Sequence, residues 1–378
     1  MELVISKSNF ARGLERTHAV ADRKSSMPIL SNVLLTTDDT GTLRFAATDL
    51  YLGVTATAPA EVKKGGSIAV AARTLFDIVQ QLPQGDVHWT VGPNHAVEIR
   101  CGKIRFRIPG MPGDDFPPLP SPGNAEFVSL DAEVLGDLIT RTQYSMSNDD
   151  TRPHLAGALF EGEARTVRMV TTDGHRLSKC DYRAREGLML HFSMLVPGKG
   201  IAELKRLIDS AKREKGKDDA GPPQIAVASH AGNAFFKREG VTLSVKLADE
   251  QFPQYAKVIP QGQDKRVVVS RTGMIDALKR MKLVSSDKSG GVRLMVSPGS
   301  LRIVSESPDV GEGSEELDVD YAGPALTIGF NAGYILEVLG ALTEDEVVFE
   351  LAGELDPGVI KPAGEATLFV GVIMPMRI

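Results

Sequence analysis

Cysteine is nearly absent from this chain, which has only Cys101 and Cys180, far apart in the sequence. Two such residues build neither a disulfide framework nor a CxxC metal site, and they point to a reducing cytoplasm. No run of eighteen apolar residues occurs, so nothing reads as a membrane-spanning helix. The first thirty residues carry Glu2, Lys7, Arg12, Glu15, Arg16 and Asp22 with no apolar stretch behind a basic start, unlike a secretory signal. Aromatic residues are 6% of the chain, with one Trp, too few for stacking on single-stranded nucleic acid. No helix-turn-helix, zinc-finger, RRM or KH signature is present. Positive charge is not in excess either: 43 Lys and Arg stand against 49 Asp and Glu, for a net charge of -6. A polyanionic ligand therefore requires the cations to be gathered in particular places.

What is present is a threefold repeat in 378 residues. Thr48-Asp49 ends the alternating strand LRFAATD, and Thr172-Asp173 ends VRMVTTD 124 residues later. Pro28-Ile29-Leu30 and Pro153-His154-Leu155 are offset by 125, close to the 126 of an exact third. In the third stretch LRIVSES from Leu301 is in phase with LRFAATD, with Glu306-Ser307 where the others have Thr-Asp. Apolar residues at helical spacing predict an early helix in each copy, around Phe10 and Leu14, Leu135 and Leu138, and Met274 and Leu278. A later one follows around Leu75 and Val79, Leu204 and Ile208, and Ile335 and Leu339. Hairpins turning at Gly102, Gly240 and Pro298-Gly299 supply the sheets. Two helices over sheets, repeated three times, predict an α+β fold. Pro-rich crossings beginning at Phe116-Pro117 and Phe252-Pro253 divide the chain into 1–125, 126–262 and 263–378. A polar insertion near 211–223 falls in the middle copy.

The cations cluster on helices. Lys7, Arg12, Arg16, Arg23 and Lys24 belong to the first, Lys199, Lys205, Arg206, Lys212 and Arg213 to the late helix of copy two, and Lys279, Arg280 and Lys282 to the early helix of copy three. Such basic faces can hold a polyanion on an acidic protein through sequence-independent phosphate contacts, or be solvated faces only.

Six ordered blocks resemble the bacterial DNA polymerase III β subunits, the sliding clamps. They are MPILSNVLL at 27–35, TDGHRL at 172–177, VPGKGIAEL at 196–204, FPQYAKVIP at 252–260, GFNAGYILEVL at 329–339 and VIMPMRI at 372–378. The resemblance implies three clamp domains per chain and a head-to-tail homodimeric ring that encircles double-stranded DNA without sequence specificity. It implies a cytoplasmic, nucleoid-associated replication factor with no catalytic residue, metal or cofactor and no membrane. Its partners would be the replicative polymerase α subunit, the clamp loader, and other polymerases and repair proteins, all reached through short peptide motifs.

Carried over position by position, the peptide pocket comprises Leu155, Thr172, Gly174, His175, Arg176, Leu177, Pro253, Val258, Val372, Ile373, Met374, Pro375, Met376 and Arg377. DNA contact falls to Arg23, Lys24, Arg73, Asn148 and Lys199, and the subunit joint to Ile78, Leu82, Phe106 and Ile108 against Leu283 and Val284. Departures from the family pattern stand at Gly198, Lys257 and Gly371, and Asp149 is unsuited to a phosphate. Two rival readings remain from the residues alone. One is a hydrolase using Asp173 and His175, although no HExxH, GxSxG or paired-carboxylate pattern accompanies them. The other is a monomeric protein-binding repeat scaffold.

Overall fold

The computed structural model describes residues 1–37, 41–149, 151–184, 189–214, 222–285, 290–364 and 368–377, with the backbone alone at 212–214. Most of the polar insertion and the final Ile378 lie outside the described residues. Six α-helices are described: α1 Lys7–Thr17, α2 Ala72–Gln81, α3 Ala132–Thr142, α4 Gly198–Glu214, α5 Arg271–Lys282 and α6 Ala332–Ala341. Each directly follows a strand, and α1, α5 and α6 begin on a side-chain cap. Ser6 Oγ accepts from Asn9 N, Ser270 Oγ from Gly273 N, and Asn331 Oδ1 from Gly333 N and Tyr334 N, satisfying amides that the first turn leaves without partners. The helices bury one stripe each, such as Phe10, Leu14 and Thr17 in α1 and Met274, Leu278 and Met281 in α5. The three expected hairpin glycines all have positive φ, at 57° for Gly102, 75° for Gly240 and 77° for Gly299, a conformation that costs glycine little.

The chain forms two compact units that do not follow the three copies. One is Met1–Glu133 with Ala202–Leu247; the other is Val134–Ile201 with Ala248–Ile378. Backbone pairing shows why. In the first unit, Leu52–Pro59 of copy one pairs antiparallel with Val241–Lys246 of copy two, joining a thirteen-stranded sheet through the register Leu52↔Val245 and Gly53↔Ser244. In the second, Arg176–Arg183 of copy two pairs with Leu368–Ile373 of copy three inside an eight-stranded sheet, through Arg176↔Ile373 and Leu177↔Val372. A four-stranded sheet ending on Gly311–Asp318 completes the second unit. The middle copy thus lends strands to both neighbours.

Candidate functional site

The segment 172–177 is a hydrogen-bonded turn held from inside. Thr172 Oγ1 donates to Arg176 O at 2.6 Å and accepts from Gly174 N at 3.1 Å. Asp173 Oδ1 accepts from the amides of His175 and Arg176 at 2.9 and 3.1 Å, and its Oδ2 accepts from Arg176 Nε at 3.0 Å. Arg176, 8% exposed, is a hub. It donates to Tyr144 O at 2.6 Å, pairs with Glu337 of α6, and lies over the Tyr334 ring at 4.4 Å. The Asp173 carboxylate is therefore engaged by a guanidinium and two amides, the neighbouring Thr172 hydroxyl donates to Arg176 O instead, and among the described residues no hydroxyl or thiol is hydrogen-bonded to Asp173. That removes the support for a hydrolase.

Four chain segments meet around this turn. The strand Leu368–Ile373 runs alongside, and Met374 N donates to His175 O at 2.9 Å while Met376 N donates to Gly329 O at 2.8 Å. The apolar tail is thus fastened at two points, with Val372 and Ile373 buried and Met374 exposed. Leu177 and Val372 form a buried cluster with Val170, against which Phe252, Tyr255 and Ile259 of the second crossing pack. Pro253 and exposed Val258 lie on that same crossing, where Pro253 O accepts from Tyr255 N at 2.7 Å. Leu155 is buried, and its loop reaches the turn through Arg152, whose Nη1 donates to Asp173 O at 3.3 Å. The segments that carry the expected pocket residues therefore meet at this turn, although among the described residues no contact ties Val258, Pro375 or Arg377 to it. The α6 contribution, Tyr334 and Glu337, lies inside a block noted for its pattern, yet only their approach to Arg176 marks them as part of the site.

Basic residues divide between the units. In the first, Arg23 and Arg73 line one small cleft with Arg206, and Lys24 is exposed beside them with its amide donating to Asp22. In the second, Asn148 and Lys199 are both exposed, and the Met146 side chain lies 3.8 Å from where a Gly198 Cβ would stand. Asp149 closes its own turn. Its carboxylate accepts from Thr151 and from Arg152 Nε at 2.9 Å, which hold it below the usual carboxylate range.

The residues expected at a subunit joint differ in exposure. Leu283, at the end of α5, is 77% exposed and Phe106 is 37% exposed. Ile78, Ile108 and Val284 are half-buried, while Leu82 is 5% exposed and belongs to its own core. Both neighbourhoods carry open backbone edges. Residues 104–109 pair with Ala96–Cys101 on one side only, and Gly311–Asp318 is an edge strand. The first edge bears Arg105 and Arg107; the second presents Glu312, Glu316 and Asp318.

Among the described residues no helix is long and apolar enough to cross a membrane, and no group of three or more His, Cys, Asp or Glu is arranged for a metal ion. Three family models match in order: the DNA polymerase III β subunit N-terminal domain over residues 1–120, its central domain over 129–254 and its C-terminal domain over 256–377. The β sliding clamps of Pseudomonas putida and of Escherichia coli K12 are each 33% identical, with both chains fully covered. The crystal structure of the DNA polymerase III β subunit from Pseudomonas aeruginosa superimposes with a TM-score of 0.93 at 32% identity over the full length of both chains. The griselimycin-bound clamp of that organism gives 0.91. With every part of the sequence matched and the fold shared end to end, the chain belongs to the bacterial DNA polymerase III β subunit family and acts as a DNA sliding clamp, a non-catalytic subunit of replication.

Proposed function

We propose that two copies close head to tail into a ring around duplex DNA, through the edge 104–109 of one copy and Gly311–Asp318 of the other. The observation that carries this reading is the pair of open edges of opposite charge, with exposed Phe106 and Leu283 beside them. Strand edges are ready templates for pairing, and Arg against Glu sets both orientation and partner. The three clamp domains are taken as 1–125, 126–262 and 263–378, and the soluble ring works in the cytoplasm.

Inside the ring, Arg23, Lys24, Arg73, Asn148 and Lys199 make weak, exchangeable contacts with phosphates. Enclosure retains the clamp on DNA while each contact stays easily broken, which permits sliding. Polymerases, the clamp loader and repair proteins dock short peptides in the cleft between the 172–177 turn, the 252–259 crossing and the tail. Leucine, valine and methionine side chains there suit apolar peptide anchors, with Met374 and Met376 adapting to several partners. Tethering raises the polymerase's effective concentration at the primer end.

The test is topological. Clamps loaded on closed circular DNA should persist through salt that disrupts phosphate contacts, and cutting the circle should release them. Equal loss from circles and linear DNA would overturn enclosure. For the cleft, a dimer lacking Met374 to Ile378 should lose binding to polymerase-derived peptides in isothermal titration, and undiminished binding would move the partner site elsewhere.

A further inference from the structure

We propose that a cleft in the first unit lined by His18, Arg23, Arg73 and Arg206 seats one phosphate of the duplex, and that His18 joins this contact only by taking up a proton. The inference rests on the reading of these helical faces as DNA-facing, and adds to it a particular seat and a coupling to pH.

The cleft has a volume of about 240 Å³, of the size a phosphate group needs, and three alanines complete its lining with no carboxylate among them. Its arginines are exchangeable. Arg73 pairs with Asp77 at 2.9 Å, both more than half exposed, and Arg206 pairs with Glu203 one turn away on α4. The Arg73–Asp77 pair, open to solvent on both sides, contributes little, so a phosphate can take Asp77's place, while Arg206 keeps an exposed guanidinium beside a largely buried Glu203. Arg23 makes no ion pair among the described residues.

His18 is held at two points. It follows α1 directly, with Nδ1 2.9 Å from Leu14 O, and its ring stacks on Phe76 of α2 at 3.9 Å between centroids and 7° between planes. A carbonyl oxygen only accepts, so Nδ1 carries the hydrogen, and a neutral imidazole has no second one to give. A phosphate can accept from Nε2 only if the ring is protonated. Binding then takes up a proton, and by linkage it tightens as pH falls. Acidic groups also stand near the ring: a neighbouring cavity of about 530 Å³ shares His18 and Arg206 and is lined by Glu15 of α1 and by Glu203 and Asp209 of α4, beside Arg12 and Arg16. Burial pushes the Glu203 carboxyl up, opposed by Arg206. Any proton uptake by these carboxylates survives replacement of His18, so a variant at that position separates the two sources.

The experiment measures binding of a fluorescent 30-bp duplex to the full-length protein by anisotropy at low, constant ionic strength, at pH 6 and pH 8. Wild type should bind about five- to tenfold more tightly at pH 6, as expected when one imidazole protonates with the ligand. His18→Gln should flatten that difference, and His18→Phe, which keeps the ring on Phe76, should do the same. A wild-type affinity independent of pH, or an equal pH response in all three proteins, would overturn the inference while leaving DNA binding intact. Absence of duplex binding at both pH values would count against the DNA-facing reading. In that case inorganic phosphate titrated against the His18 ring resonances decides the seat: a pH-dependent shift supports it, and unmoved resonances overturn it.

Discussion

The turns Thr48–Gly53 and Thr172–Leu177 are built alike and end differently. In both, a threonine hydroxyl donates to the carbonyl four residues on, at 2.6 Å each time, and an aspartate caps two amides. In both, the residue after the strand register donates its amide back into the turn, Lys246 to Tyr51 O and Met374 to His175 O. The side chains then diverge. Leu177 and Val372 of the second turn are replaced in the first by Gly53 and Ser244, and the space over Gly53 is filled by Leu119 of the first crossing, 3.0 Å from where a Cβ would stand. The first junction closes on its own linker. The second leaves exposed Met374 beside the turn that holds a buried arginine hub. A shared backbone device thus yields a sealed seam in one copy and a receptive one in the next.

Several substitutions break that contrast. Arg176→Ala should be the most disruptive, lowering stability to urea by about 3 kcal/mol, because it strands the largely buried Asp173 carboxylate and leaves the Tyr144 carbonyl without its donor, while half-exposed Glu337 can turn to solvent. Leu177→Ala follows at about 2.5 kcal/mol from the lost burial and the cavity left against Val170 and Val372. Its counterpart Gly53→Ala adds an atom where Leu177→Ala removes several, yet should also destabilise, by about 1.5 kcal/mol, since the new Cβ meets Ser244 Oγ at 2.6 Å. A stabilising Gly53→Ala would show that Leu119 and Ser244 yield freely and that the first seam is not tightly sealed.

The second unit also carries charge at its seam, through buried Arg141 paired with Glu344 at 3.0 Å. Burial acts to raise the Glu344 carboxyl, but backbone donors and Arg141 outweigh it and hold it below 4.5. A carboxyl so lowered adds stability above its unfolded range and loses it as pH falls through the folded value. Acid titration of urea stability should therefore fall more steeply below pH 4.5 in wild type than in Glu344→Gln, by about 1 kcal/mol. Equal slopes would remove this pair from the seam. The smallest effects belong to the turn backbones. Gly174, at φ 92°, should resist replacement, Gly174→Ala costing about 1 kcal/mol, whereas Leu50, at φ 75° and 52% exposed, should gain about 0.5 kcal/mol as Leu50→Gly, read as a shift in thermal midpoint.

Much of this architecture was legible in the sequence because it is periodic. All six helices lie where apolar residues recur at helical spacing, and Gly102, Gly240 and Gly299 announced their hairpins. The twin turns were visible as Thr-Asp pairs after alternating strands. In the third copy, where Glu306-Ser307 stands in place of Thr-Asp, the strand Ser300–Ser307 runs straight through and Glu306 pairs with Arg293 instead. Less legible were features that depend on distant residues meeting. Leu82, expected at the subunit joint on the family pattern, continues the buried Leu75 and Val79 stripe instead, and nothing in FPPLP identifies Leu119 as the filler of a gap in another strand. The division into two units was hidden for the same reason. A repeat shows where copies begin, while backbone ladders that cross copies leave no trace in spacing.

Those crossing ladders bear on any attempt to express one copy alone. A middle copy cut out at its sequence borders would lose four paired positions on Val241–Lys246 and six on Arg176–Arg183. It would enter solution with two raw strand edges bearing Leu243, Val245, Leu177 and Cys180, a surface prone to self-association. Fragments that preserve solubility should instead keep both ladders whole, Val241–Lys246 with the first copy and Arg176–Arg183 with the last, so that recombination between related chains is best tolerated where no strand is separated from its neighbour.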